Sequence, residues 1–300
     1  MTTSPQAFPQ SAAKAAIALL FSAVMLTYYV FLFRADQGLD FRMFYAVADS
    51  LRQGGPNVLT DHPPITPFIY LPFTYLNIQP AYVFWSAISM SILFACAALL
   101  NRATQTFRDS YWAYLMCFVF LPVHILFLQG QIDFIVLLAY VLAFLSLEKN
   151  REFPAGLVLA LGLFKFHLVL PFAAVMLLRR QWRFTIGFAS GALIFVAASV
   201  SVAGVGFVVQ YPEHLLTTAQ TLNSGYSPGV MANLHGLAYL LFRRTDHPLL
   251  VLGLSAALLL WVSRRWTSLE RGFAGTVVAT VLVSYHLNPH DLVLLLMVGS

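Results

Sequence analysis

Nine apolar runs follow one another along this chain, and no other feature of the sequence limits its fold as much. They lie at 14–33, 80–100, 111–128, 132–147, 153–178, 184–208, 248–263, 272–287 and 291–300. A helix needs about 20 mostly apolar residues to cross a bilayer core of ~30 Å. Lipid offers no partner to an open backbone N–H or C=O, so such a chain crosses as helices. Only 10% of the residues are charged, against about 25% in soluble domains, which is too little to solvate several water-facing domains. The expected fold is an all-α polytopic membrane protein, one domain over residues 1–300, with long outer loops at 34–79 and 209–247. The first run has only Lys14 before it and no evident cleavage site after it, so it reads as an uncleaved anchor. The last run holds about ten residues, too few to cross at ~1.5 Å per residue, and further C-terminal helices are expected beyond it.

The net charge of +5 sits between the apolar runs, where it is a topology signal, because cytoplasmic loops gather Lys and Arg. Nucleic-acid binding therefore has no support in the sequence. With the N-terminus inside, a simple crossing by 153–178 would leave Arg179, Arg180 and Arg183 outside. A helical hairpin over 153–178 that breaks between Lys165 and Pro171 keeps them inside, together with Arg264, Arg265 and Arg271. On that topology 11 of the 17 Lys and Arg and 4 of the 12 Asp and Glu are inside. The inner face then carries +7 and the outer face −2.

The polar residues collect at the outer end. His62, His124, His167, His214, His235, His247, His286 and His290 all fall there, and long polar loops account for His62, His214, His235 and His247. They do not account for Lys165, His167, His286, His290 and Asp291, which interrupt apolar runs. An ionisable group near the membrane interior costs about 2.5–3.5 kcal/mol even on insertion scales, so these are expected to face a cavity. In residues 40–53, Phe41, Phe44, Tyr45, Ala48 and Leu51 recur at helical spacing with Arg42, Asp49 and Arg52 off the stripe. This predicts an interfacial helix resting on the bilayer and stopped by Gly54-Gly55-Pro56. Asp40 at its start suits an N-cap or a catalytic base, and spacing alone leans towards the cap. Gln129-Gly130-Gln131 with Asp133 forms a sharp turn whose amides suit a hydroxyl-rich ligand. Asn233 and His235 form a further polar pair in the second outer loop. His286 and His290 are four apart, but Pro289 between them argues against a helical zinc pair. Cys96 and Cys117 lie inside apolar runs and offer neither a disulfide nor a zinc site. No phosphate-binding loop, nucleophile elbow or dinucleotide fingerprint is present.

Taken in order, these motifs resemble glycosyltransferase family 87, polytopic enzymes of GT-C fold. The resemblance is carried by Asp40-Phe41 after the first span, His62-Pro63-Pro64 in the place of Tyr-Pro-Pro, Pro72, Trp85 and Gly130-Gln131. It continues through Lys165-Phe166-His167-Leu168 in the place of Lys-Pro-His-Leu, Arg180-Gln181-Trp182-Arg183, Met231 to Leu237, and Tyr285 to Leu292. Together these cover residues 36–300. His62, Phe166 and His235 depart from the family pattern, the last putting the role of its loop in question.

What the resemblance implies is transfer of a hexose, mannose foremost, from a polyprenyl-phosphate donor to a lipid or glycan acceptor. The reaction would run at the outer face of a bacterial cytoplasmic membrane. Asp40 is then the general base. Arg42, Lys165, His167, His286 and His290 are candidates for the donor phosphate. Gln131, Asn233, His235 and Asp291 are candidates for acceptor or loop contacts. No cofactor is expected besides the lipid-linked sugar donor, and no residue is assigned to a metal, the need for which the sequence leaves open. The alternative from another class is a transporter or flippase of a lipid-linked sugar, whose polar residues would line a path reaching both faces.

Overall fold

The structure is a computed structural model that describes residues 10–34, 39–56, 58–107, 109–220, 228–242 and 247–298. Asp36, Arg108, Arg243, Arg244 and Asp246, which enter the charge balance above, lie outside the described residues. Among the described residues all regular structure is helical. In chain order the helices are α1 (Gln10–Arg34), α2 (Leu39–Arg52), α3 (Thr66–Tyr70), α4 (Ile78–Thr104), α5 (Ser110–Cys117), α6 (Leu121–Gln129) and α7 (Asp133–Glu148). They continue with α8 (Glu152–Leu159), α9 (Phe166–Leu178), α10 (Trp182–Ala203), α11 (Val205–Gln220), α12 (Leu234–Leu241), α13 (Pro248–Arg264) and α14 (Leu269–Val283). A 3₁₀ stretch, Ala160–Lys165, joins α8 to α9, and another, Pro289–Met297, closes the described chain. Among the described residues four segments are individually long and apolar enough to cross a bilayer: Ala12–Arg34, Ile78–Thr104, Glu152–Leu178 and Trp182–Ala203.

Two segments depart from a straight crossing, and their neighbours give their direction. The run predicted at 111–128 is α5 and α6, bent by 73°. Phe120 is extended and Pro122 follows in the first turn of α6, where its missing N–H cannot bond back into α5. Along this pair the partners on α1 advance in step. Lys14 meets Asp109 at 2.5 Å, Ser22 meets Tyr114 at 2.6 Å, and the Tyr29 hydroxyl meets His124 at 2.8 Å. The pair therefore rises beside α1 as one bent crossing.

Glu152–Leu178 has the length of a single span, but its contacts show a hairpin. α8 runs alongside and parallel to α10, with Gly156 against Phe184, Gly191 against Ala160, and the Phe164 and Phe195 rings 5.0 Å apart. α9 then comes back. Its Phe172 ring lies 6.2 Å from Phe184, and Arg179 stacks 4.2 Å over Trp266 in the turn between α13 and α14. Phe273 of α14 packs on both Phe144 and Phe172, so Arg179 lies at the same end as the 149–151 turn. The hairpin inferred from the arginines is what the packing produces, with Lys165 near its apex.

Glycines let α8 and α10 touch. A Cβ on Gly156 would stand 2.0 Å from the Phe184 carbonyl oxygen, and one on Gly187 would stand 2.1 Å from that of Phe153. Backbone cannot swing aside as a side-chain tip can, so Gly156→Ala is expected to destabilise the fold by about 1–3 kcal/mol. The measurement is thermal unfolding in detergent, and an unchanged midpoint would remove the close approach.

The α2 stripe was expected to rest on the bilayer; instead it faces the bundle. Phe41, Phe44 and Ala48 are fully buried. Phe41 packs on Phe33, Tyr70 and Tyr82, and Phe44 stacks on Tyr70 with ring centroids 5.0 Å apart. Helical periodicity identifies an apolar face and is silent about whether lipid or protein covers it.

Candidate active site

The hairpin apex brings Lys165 against the start of α7 and the start of the final 3₁₀ stretch. Its Nζ lies 2.7 Å from Asp291 Oδ1, 3.1 Å from Asp133 Oδ2 and 2.9 Å from His290 Nε2. An ammonium has three protons and no acceptor, so these three atoms surround it, and His290 accepts through Nε2. All four groups are sealed, with Lys165 2% exposed, His290 1% and both aspartates 0%. Burying one cation among two carboxylates is tolerable only because each charge meets its opposite at contact distance.

Asp291 is held on its other side too. Its Oδ2 accepts the Asn288 backbone N–H at 2.6 Å, forming a capping box that starts the 3₁₀ stretch, and His167 Nε2 lies 3.9 Å from the same oxygen. Pro289 takes the first position of the stretch, where its missing backbone N–H leaves no bond unmade. Asp133, His290 and Asp291 place their ligand atoms within 4.8 Å of one another. That is a donor set suited to a divalent ion, but the Lys165 ammonium already stands among these atoms.

Asp40 approaches from α2. It is not an N-cap: α2 begins at Leu39, and Asp40 Oδ2 accepts the Gln131 side-chain N–H at 2.7 Å. Gln131 is itself buried and is placed by Gly130. Gly130 ends α6 at φ +63°, a left-handed conformation that glycine adopts freely. A Cβ there would also stand 2.7 Å from Phe41 Cβ. Tyr70 donates to the Gly130 carbonyl at 3.1 Å, tying this turn to the aromatic packing under α2. Burial raises the Asp40 carboxyl above its ordinary value and Asp291 adds to that, while the Gln131 hydrogen bond and the Lys165 charge pull it back down.

The remaining sequence candidates divide. His167 and His286 face each other with ring centroids 6.0 Å apart, and His286 meets the Asn288 amide at 3.1 Å. Both are only partly buried. Asn233 and His235 shape the neighbouring loop: Asn233 donates to the Ser284 carbonyl at 2.6 Å, and His235 stacks on Tyr285 at 4.9 Å. Arg42 turns the other way. Its guanidinium lies 4.2 Å over Phe33 and donates to the Phe33 carbonyl at 2.7 Å, as expected of a residue two positions from Asp40, on the far side of the helix. Lys165, a candidate for the donor phosphate, has its ammonium against protein carboxylates.

Two residues were not among the sequence candidates. Asp133, like Lys165, is an ionisable group set against an apolar run, although its sequence neighbours mark a turn. His62 belongs to a polar loop by sequence, yet its ring packs edge-on against the buried Phe44 of α2 at 4.8 Å.

No curated protein and no solved structure matches the chain. The family model for glycosyltransferase family 87 matches residues 60–291, a stretch that holds the Lys165 cluster and begins after the helix bearing Asp40. The ordered motifs, the polytopic helical fold and this match over most of its length agree that the chain belongs to glycosyltransferase family 87.

Proposed function

We infer that this glycosyltransferase moves a hexose, mannose foremost, from a polyprenyl-phosphate donor to a lipid or glycan acceptor, with Asp40 as the general base. The observation that carries the reading is a carboxylate, half-buried and oriented by Gln131, beside a sealed ionic cluster at one end of the bundle. A sugar hydroxyl is a poor nucleophile. A carboxylate within hydrogen-bond reach takes its proton as the oxygen attacks the anomeric carbon and the C–O bond to the lipid phosphate breaks. The departing phosphate carries the negative charge, and the more accessible His167 and His286 are the donors placed to meet it. Lys165 acts from behind them by holding Asp291, whose Oδ2 lies 3.9 Å from His167 Nε2. The membrane assignment we favour is a bacterial cytoplasmic membrane with this end outward, consistent with the basic residues gathered at the other end.

A transporter would need polar lining along a path to both faces. The buried ionisable residues Asp133, Lys165, His290 and Asp291 instead gather at one end of the bundle, which favours an enzyme with a one-sided site. The test is purified protein in detergent with a polyprenyl-phosphate hexose and cell lipid extract, scored for a new glycolipid. Product should form equally in excess EDTA, since Lys165 holds the place of a cation. No product, with movement of the donor across vesicle membranes, would give the transporter reading.

The base must be ionised to work. Because burial raises the Asp40 carboxyl, kcat/KM is expected to fall as pH drops through a value above the ordinary carboxylate range. Gln131→Leu removes a hydrogen bond that lowers it, so the acidic limb should move to higher pH. A pH–rate profile with the limb unmoved would separate Gln131 from the base.

A further inference from the structure

We propose that α11 is an interfacial helix, seated in the leaflet on the Lys165 side of the bundle with one long edge among the acyl chains and the next edge in water. Its partner is a lipid surface, and the inference is independent of the sugar-transfer reading.

Length places this helix at the membrane boundary. α10 has 22 residues and at ~1.5 Å per residue rises about 33 Å, which uses up a core of ~30 Å. It runs parallel to α8 towards the hairpin apex, so Ala203 stands where that crossing ends. Gly204, at φ +88°, breaks the helix, and α11 starts at the next residue. α11 is not a crossing of its own. Its 16 residues reach only about 24 Å, and Gln210, Pro212, Glu213 and His214 interrupt them.

At about 100° per residue, the side chains divide α11 into three sectors. Phe207, Val208, Tyr211, His214 and Leu215 are partly buried and make up one side. Tyr211 fastens that side to the bundle: its hydroxyl donates to the Asp61 carbonyl at 3.1 Å, and its ring lies 6.4 Å from that of Phe166 at the hairpin apex. The exposed remainder is sorted. Val205, Val209 and Leu216 are 65%, 71% and 67% exposed, and with exposed Pro212 they fall within about 60° of one another. Gln210, Glu213 and Thr217, also exposed, occupy the sector beside them. Water all round gives no reason for the apolar edge, and lipid all round would penalise the polar one. A helix lying along the boundary and held by protein on its third side has use for both.

Charge narrows the kind of surface. Interfacial helices combine apolar burial with attraction to anionic lipids, but α11 carries Glu213 and no Lys or Arg. Its seating therefore comes from the apolar edge and does not depend on lipid charge. Because Tyr211 joins α11 to Phe166 and to the loop at Asp61, the seated helix sets the height of the hairpin apex against the lipid headgroups.

The experiment attaches spin labels to Val209→Cys, Leu216→Cys, Gln210→Cys and Glu213→Cys in the full chain. These side chains are exposed, so the changes leave the packing intact, and wild type treated in the same way gives the background from Cys96 and Cys117. The protein is placed in nanodiscs of phosphatidylcholine, with or without phosphatidylglycerol. Relaxation by oxygen, which concentrates in lipid, is compared with relaxation by a water-soluble nickel chelate. The oxygen-to-nickel ratio should be about 5-fold or more higher at 209 and 216 than at 210 and 213, in both lipid mixtures. Equal ratios on the two edges overturn the proposal, since α11 would then stand wholly in water or wholly in lipid. A contrast that appears only with phosphatidylglycerol overturns it too, because charge would then be what seats the helix.

Discussion

Asp40→Asn is expected to abolish transfer while the protein still inserts and still binds its donor. The asparagine is nearly the same size, and its side-chain oxygen can still accept the Gln131 N–H that Asp40 Oδ2 accepts at 2.7 Å. What it cannot do is take a proton from the attacking hydroxyl. General bases contribute about 10²–10⁴-fold, so at least ~10² should be lost from kcat. Donor affinity, measured by ligand-induced thermal stabilisation, should stay within about 3-fold of wild type, because the change falls on the transition state alone. A variant that keeps more than about a tenth of its activity would end the assignment of Asp40 as base.

Lys165→Met should have the largest effect on folding. It leaves Asp133 and Asp291, both 0% exposed, facing each other with no cation between them. Removing one partner from a buried ionic cluster costs about 3–5 kcal/mol, since the charges left behind have lost their compensation. The loss should appear as little protein in the membrane and a strongly lowered unfolding temperature in detergent. Asp133→Asn added to Lys165→Met removes one of the stranded charges and should restore a large part of the stability, a coupling that a double-mutant cycle measures. If Lys165 were instead an open phosphate ligand, Lys165→Met would fold normally, and only its kinetics with donor would suffer. Arginine is no substitute, because its planar fork does not fit a pocket shaped around a compact ammonium.

Much of the architecture was legible in the chain. Runs of apolar residues set the helices because lipid forbids open backbone groups. The placement of Arg179, Arg180 and Arg183 sufficed to fold 153–178 back on itself, since moving those charges to the other face conflicts with the bias that sets topology. Lys165, His290 and Asp291 stood out because ionisable groups at membrane depth are costly and must be compensated. That argument identifies which residues need partners.

The partners themselves came from packing. Lys165 and Asp291 are 126 positions apart and Gln131 and Asp40 are 91 apart, and no local pattern links them. Only the fold shows that Lys165 is consumed by carboxylates and that Arg42 points away from Asp40. Likewise α2 lays its stripe on protein, and the His62 ring packs against Phe44 of that helix. Composition and periodicity act along the chain and determined a helical membrane protein with a short set of costly polar groups. Which of those groups neutralise one another and which stay open to substrate depends on ångström-scale distances between segments remote in sequence, and the tertiary structure alone sets those.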